Sequence, residues 1–143
     1  MTAAPFTSGF LYWIALDFGG SDPADVARFN RFYDETHVPE VLARHPGFAA
    51  AHRYAIQVPD ERGDLGGTYL AAYEVESEQA AVAYLAGQGA DDGARPGYTD
   101  DPPLWPDLLT HRWRVLYEKV AETAPSAGVP DAVYIIGIDP PAE

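Results

Sequence analysis

Cysteine is absent from this chain and lysine occurs once, at Lys119. Without cysteine there is no disulfide, no thiolate metal site and no cysteine nucleophile. Positive charge is left almost wholly to arginine, and the nine basic residues stand against 22 acidic ones, a formal net charge of -13. A surface of that sign repels phosphate backbones and anionic headgroups, so neither nucleic acid nor a membrane is an expected partner. Any apolar run near the roughly 20 residues of a membrane span is missing too. The start Met-Thr-Ala-Ala-Pro shows no basic segment followed by an apolar one, so no signal peptide is expected and a cytoplasmic location is the default. Arginine over lysine, with abundant alanine, glycine, proline and aspartate, is the imprint of a GC-rich bacterial genome.

What is present is enough for a core. The 143 residues are 47% hydrophobic and 13% aromatic, which suits one globular domain spanning 1–143. Its expected core runs from about 10 to 120, with 121–143 as a C-terminal extension. Phe10 to Asp17 reads as a buried strand, with Phe10, Tyr12, Ile14 and Leu16 on one face. Ser21-Asp22-Pro23 is a helix start, Asp22 capping and Pro23 in the first turn. The helix carries an apolar stripe of Val26, Phe29, Phe32 or Tyr33, and Thr36 or His37. Pro39 disfavours helical backbone at Val38, so the helix is expected to end or kink near Thr36 to Val38. A short second turn to Arg44 would place Val41 and Leu42 inward.

Phe48 to Gln57 alternates as a strand, with Phe48, Ala50, His52, Tyr54 and Ile56 on one face. A polar connection, Pro59 to Gly67, leads to a returning strand, Thr68 to Val75, with Tyr69, Ala71, Tyr73 and Val75 on one face. Ser77 caps an alanine-rich helix to Ala86 whose expected inward residues are Ala81, Val82 and Leu85. The 87–106 stretch is irregular and holds Tyr98, Leu104 and Trp105; a loop of this length is either a lid or a surface excursion. Thr110 to Val120 is a fourth strand, with Trp113, Val115 and Tyr117 on one face. Ala132 to Ile138 is apolar enough to be an added edge strand.

Strand, helix, strand, strand, helix, strand is the ferredoxin-like split βαβ order, an α+β fold with a four-stranded antiparallel sheet plus the C-terminal strand. Helices on one face leave the other to be covered, most simply by a symmetric partner in a homodimer. The segment Phe29-Asn30-Arg31-Phe32-Tyr33-Asp34-Glu35-Thr36-His37-Val38-Pro39-Glu40-Val41, followed by Pro46-Gly47-Phe48, resembles the signature of EthD-like proteins of the dimeric α+β barrel superfamily. The resemblance implies a pairing of two sheets into a barrel. It also implies a range of activities: cofactor-free monooxygenases of aromatic polyketides, lactone isomerases, polyketide cyclases, dehydratases and haem-dependent enzymes. Fold alone does not choose among them.

Among the residues themselves, His37 is the first candidate, because imidazole exchanges protons near neutral pH. It is either a general acid/base or a cap for backbone groups freed near Pro39. Asp34, three residues earlier, would orient its ring, or is merely a solvated helix acid. Tyr54 is the third catalytic candidate, as a phenol donating to a developing oxyanion. Tyr12, Tyr33, His52, Tyr69, Tyr73 and Trp105 are candidates to line a substrate pocket, against the alternative of plain aromatic packing. His37, His45, His52 and His111 lie in different elements without zinc-site spacing, and no phosphate or dinucleotide motif occurs, so neither metal nor cofactor is expected. The reading is a cofactor-independent cyclase, isomerase or dehydratase acting on a hydrophobic, aromatic or polyketide-like metabolite. The alternatives are a cofactor-free monooxygenase and a non-catalytic metabolite-binding accessory protein.

Overall fold

The computed structural model describes residues 6–57, 67–89, 99, 108–122 and 135. Strand β1 (Phe10–Phe18) leads into helix α1 (Pro23–Phe32), a π-helical turn (Tyr33–His37) and helix α2 (Val38–Arg44). Strands β2 (Phe48–Ala55) and β3 (Tyr69–Val75) follow, then helix α3 (Glu78–Gly89) and strand β4 (Leu109–Glu118). The strands pair antiparallel in the order β2-β3-β1-β4, the α+β, ferredoxin-like arrangement. No helix among the described residues is long and apolar enough to cross a membrane.

Both expected caps form. Asp22 Oδ1 accepts the Ala24 N–H at 2.8 Å, and the Ala80 N–H donates to Ser77 Oγ at 3.2 Å. The core lies between sheet and helices: Tyr12, Ile14, Leu16 and Phe18 of β1 and Ala71, Tyr73 and Val75 of β3 pack against Phe29, Tyr33, Val41 and Ala81.

Three expectations need correction. The helical arm does not end near Thr36 to Val38; the interruption expected there takes the form of a π-turn, Tyr33–His37. Tyr33 and Val38 both keep helical dihedrals, and the Val38 N–H donates to the Tyr33 carbonyl, five residues back. A proline ring clashes with the carbonyl four residues before it in a regular helix; the wider π-turn immediately upstream of Pro39 absorbs that conflict. Second, Phe48 does not share a face with His52 and Tyr54. The register slips from Phe48 opposite Val75 to Ala50 opposite Glu74, and this one-residue bulge sends Phe48 into the helix-side core while Ala50, His52 and Tyr54 face the other way. Third, α3 turns Ala81 and Tyr84 inward, leaving Val82 and Leu85 exposed. Its phase is set by a close approach to the start of β2.

That approach depends on Gly47, whose φ is +90° and where a Cβ would fall 2.5 Å from the Ala80 Cβ. Substituting Gly47→Ala therefore meets both a left-handed backbone and the flank of α3. It is expected to lower stability by more than about 1 kcal/mol in denaturant unfolding; an unchanged midpoint would show that α3 is free to shift.

Of the added strand expected at Ala132 to Ile138 only Ile135 is described, and it is outside any strand and 48% exposed; the rest of it, the polar connection from Pro59 and most of 87–106 lie outside the described residues.

Candidate functional site

Side chains of a strand alternate between faces, and this divides the candidate residues into two groups. Tyr12, Tyr33, Tyr69 and Tyr73 belong to the layer between sheet and helices, whereas His52 and Tyr54 lie on the helix-free face. His37 and Asp34 stand on the π-turn above the helix-side layer.

At the α1 end of that layer, Phe29 stacks on Phe18 with centroids 4.4 Å apart and meets Tyr33 at 5.7 Å and Tyr69 at 5.4 Å. Into this aromatic group β2 sends Arg53, a residue the sequence reading passed over. Its guanidinium lies 4.4 Å from the Tyr33 ring centroid and 5.3 Å from that of Tyr69. Arg53 Nη1 donates to Asp34 Oδ1 at 2.7 Å and Nη2 to Asn30 Oδ1 at 3.0 Å, and Asn30 Nδ2 in turn donates to the Tyr69 hydroxyl oxygen at 3.2 Å. Asp34, expected as the orienter of His37, is thus engaged by Arg53. The Arg53 side chain is only 13% exposed, so the fork and the ring stacking, rather than the half-solvated charge pair, tie β2 to the helical arm.

The His37 ring sits 4.8 Å from Tyr33 and 6.4 Å from Phe32, nearly parallel to the latter. Its charge neighbour is Glu40, whose carboxyl accepts from both the hydroxyl and the N–H of Thr99. Those two bonds, hydroxyl first, hold Glu40 below its ordinary carboxylate range, with smaller help from Arg44 and His37. Thr99 itself, the described residue of the 90–107 stretch, is thereby bound to α2. A cleft of about 550 Å³ runs along the outer flank of α1, lined by Ala24, Ala27, Arg28, Arg31, Phe32, Glu35 and Thr36. Phe32 is therefore shared between the cleft wall and the His37 ring.

At the other end of the layer, Tyr84 of α3 meets Tyr12 at 5.2 Å, Phe48 at 4.9 Å and His45 at 4.6 Å. Burial raises the Tyr12 phenol above its ordinary value, partly offset by Arg114 and by the bond to Tyr84. Burial, with Arg44 adding, lowers His45. Both effects favour the neutral forms, as a packed aromatic cluster requires.

The helix-free face holds a second polar group. Glu74, on central strand β3, is the only polar or charged residue among the fully buried described ones. Its Oε1 accepts the N–H groups of Thr7 and Ser8 and, at 3.3 Å, the Thr7 hydroxyl, while Oε2 lies 2.9 Å from His52 Nε2. Phe6 packs edge-on against both His52 (5.3 Å) and Trp13 (5.5 Å), and Lys119 Nζ donates to the Phe6 carbonyl at 3.0 Å. Burial acts to raise the Glu74 carboxyl, but the bonds from His52, Ser8 and Thr7 outweigh it and hold the group below its ordinary value. Tyr54 is raised by burial and by the nearby Glu74 charge. Trp105 lies outside the described residues.

Sequence reasoning missed Arg53 and Glu74. The signal for both was available: a charged residue interrupting an otherwise apolar or small-residue strand, at a position the alternation turns toward a covered face.

No protein-family model matches the chain, and no curated protein matches it. Solved structures to which it is similar include the haem-degrader MhuD of Mycobacterium tuberculosis, with two haems bound in its active site (19% identity, 80% of this chain and 99% of that one, TM-score 0.48). They also include an EthD family protein of Bacillus halodurans (17% identity, 78% and 99% covered, TM-score 0.43). A third is a monooxygenase of Streptomyces coelicolor in complex with nanaomycin D (21% identity, 83% and 94% covered, TM-score 0.38). At such identities and TM-scores the likeness carries no argument about this chain's chemistry.

Two outcomes follow from the geometry. Arg53→Lys keeps the charge but loses the planar fork and the stacking, and should lower unfolding free energy by about 1–2 kcal/mol; a variant as stable as the parent would show that the arm is held by apolar packing alone. For Glu74, a folded value below the unfolded one means stability that is fully present above the ordinary carboxylate range and is lost as pH falls through the depressed folded value. The difference in unfolding free energy between parent and Glu74→Gln should therefore be largest near neutrality and shrink in acid. A difference independent of pH would contradict the ionised, hydrogen-bonded carboxylate.

Proposed function

We propose that this chain is a cofactor-independent enzyme acting on a hydrophobic, aromatic or polyketide-like small molecule, with His37 as the general acid/base of a cyclisation, isomerisation or dehydration. The observation that carries the reading is the π-turn Tyr33–His37, which sets the imidazole between the buried Tyr33 ring and Phe32, a wall of the α1 cleft. An aromatic substrate lying on Phe32 would have its acidic C–H or O–H beside His37, with the Thr36 hydroxyl and the Arg28 and Arg31 guanidinium groups to receive a developing oxyanion. Asp34 acts one step removed in this scheme, holding Arg53 under the Tyr33 ring. Tyr12, Tyr69 and Tyr73 support the layer beneath.

The reading includes a cytoplasmic homodimer. The helix-free face is not bare: Trp13, Ala15 and Ala72 are already buried within the single chain. Cover is needed at its β4 edge, where Tyr117 is 53% exposed, and just beyond the strand, where Val120 is 92% exposed. Light scattering should give twice the chain mass of 15.5 kDa; a stable monomer at micromolar concentration would remove this part of the reading.

The catalytic part is tested on a panel of aromatic polyketide-like compounds. His37→Ala is expected to lower turnover by roughly 10²- to 10⁴-fold with melting temperature and ligand affinity kept. If the residue only caps the turn, the loss is instead about 1 kcal/mol of stability, with activity tracking the folded fraction. Near-normal turnover in His37→Gln, which retains hydrogen bonding without proton transfer at neutral pH, would take His37 out of the mechanism. Turnover that stops without oxygen would transfer the reading to a cofactor-free monooxygenase, and binding without turnover to an accessory protein.

A further inference from the structure

We propose that the helix-free face of the sheet carries a second ligand site, in which the His52–Glu74 pair accepts a proton from a phenol or an enolisable aromatic carbonyl compound. This site is separate from the His37 cleft, since the strand alternation sends His52 and the neighbouring Arg53 to opposite faces of β2.

Burying a carboxylate costs several kcal/mol unless its lone pairs are satisfied. Here the Glu74 side chain, 5% exposed, is held on one side by Thr7 and Ser8 and on the other by His52, so it can neither turn nor leave. An ionised carboxylate only accepts, which requires Nε2 of His52 to carry the hydrogen and leaves the lone pair on Nδ1. Nδ1 makes no hydrogen bond among the described residues, and the His52 side chain is 33% exposed. Buried carboxylate, imidazole and a ring nitrogen unbonded among the described residues are thereby in the order that orients a general base and stabilises the imidazolium it becomes. An anchor for the residues around Thr7 would need only the carboxylate. The imidazole, one-third exposed and with a nitrogen that no described residue uses, goes beyond that role.

The surroundings select the ligand. Phe6 and Trp13 supply aromatic rings beside His52, and Tyr54 lies two residues along the same strand face, roughly 7 Å away along the backbone. Burial and the Glu74 charge keep the Tyr54 phenol protonated, so it can donate. The step balances without another reactant. The ligand O–H breaks, its proton passes to Nδ1, the resulting imidazolium faces Glu74, and the phenolate oxygen accepts from the Tyr54 hydroxyl.

Para-nitrophenol is a suitable probe, because it is mostly neutral at slightly acidic pH and its absorbance changes when it loses its proton. Titrated into the full chain, it should give a saturable phenolate band and move the imidazole nitrogen resonances of His52 while those of His37 stay in place. His52→Gln should abolish the band, with an unchanged melt showing that the variant is folded; should that variant not fold, the resonance shifts of the parent protein decide. Absence of a saturable band, a band that persists in folded His52→Gln, or a shift at His37 in place of His52 would overturn the proposal. None of these outcomes depends on whether His37 is catalytic.

Discussion

Helices cover one face of the four-stranded sheet, and the other is met by the chain's own residues Phe6 to Ser8, so the period-two alternation of the strands decides which chemistry each side chain can join. The consequence is plainest on β2. Arg53 turns toward the helices and pairs with Asp34 over the Tyr33 ring, while His52, its immediate neighbour, turns away and pairs with Glu74. Two charged contacts from adjacent residues thus pin the two layers to one edge strand, and a one-residue slip of β2 would exchange them. The bulge at Phe48 places that side chain in the core without disturbing the register from Ala50 onward.

The helical arm shows the same economy of backbone. Pro39 would break a regular helix, yet the chain continues to Arg44 because the preceding turn is widened. That widening brings His37 against Tyr33 and Phe32. It also leaves Glu40 where Thr99 can bind it. The feature that the sequence shows as a helix breaker is, in the folded chain, the device that presents the imidazole.

Most of the architecture was legible beforehand, because it is written in periodicities and caps. The strand faces of β1 and β3, and of β4 from Trp113 onward, follow from alternation, and Asp22 and Ser77 mark their helices through hydrogen bonds to the first turn. The losses have local causes. A bulge leaves the alternation intact on either side of it, so Phe48 was assigned to the wrong face. The rotation of α3 depends on the contact of Ala80 with Gly47, which composition does not reveal, and Val82 and Leu85 were therefore turned inward in error. Of the candidate site, the individual residues were legible but not their grouping. Tyr54 and His52 were joined with Tyr69 and Tyr73, which lie across the sheet, and Asp34 was given to His37 although Arg53 holds it. The partners Arg53 and Glu74 escaped because a charged residue in a strand reads as solvent-facing until the cover over it is known.

The central claim is that His37 and His52 belong to two centres insulated from one another by the sheet. Imidazole nitrogen shifts of His52, recorded across the neutral pH range in the parent and in His37→Gln, test it directly. The account requires the neutral imidazole of His52 to carry its hydrogen on Nε2, and its nitrogen shifts to be the same in the two proteins at every pH. A His52 response displaced by the substitution, or a neutral imidazole whose hydrogen sits on Nδ1 in place of Nε2, would contradict it.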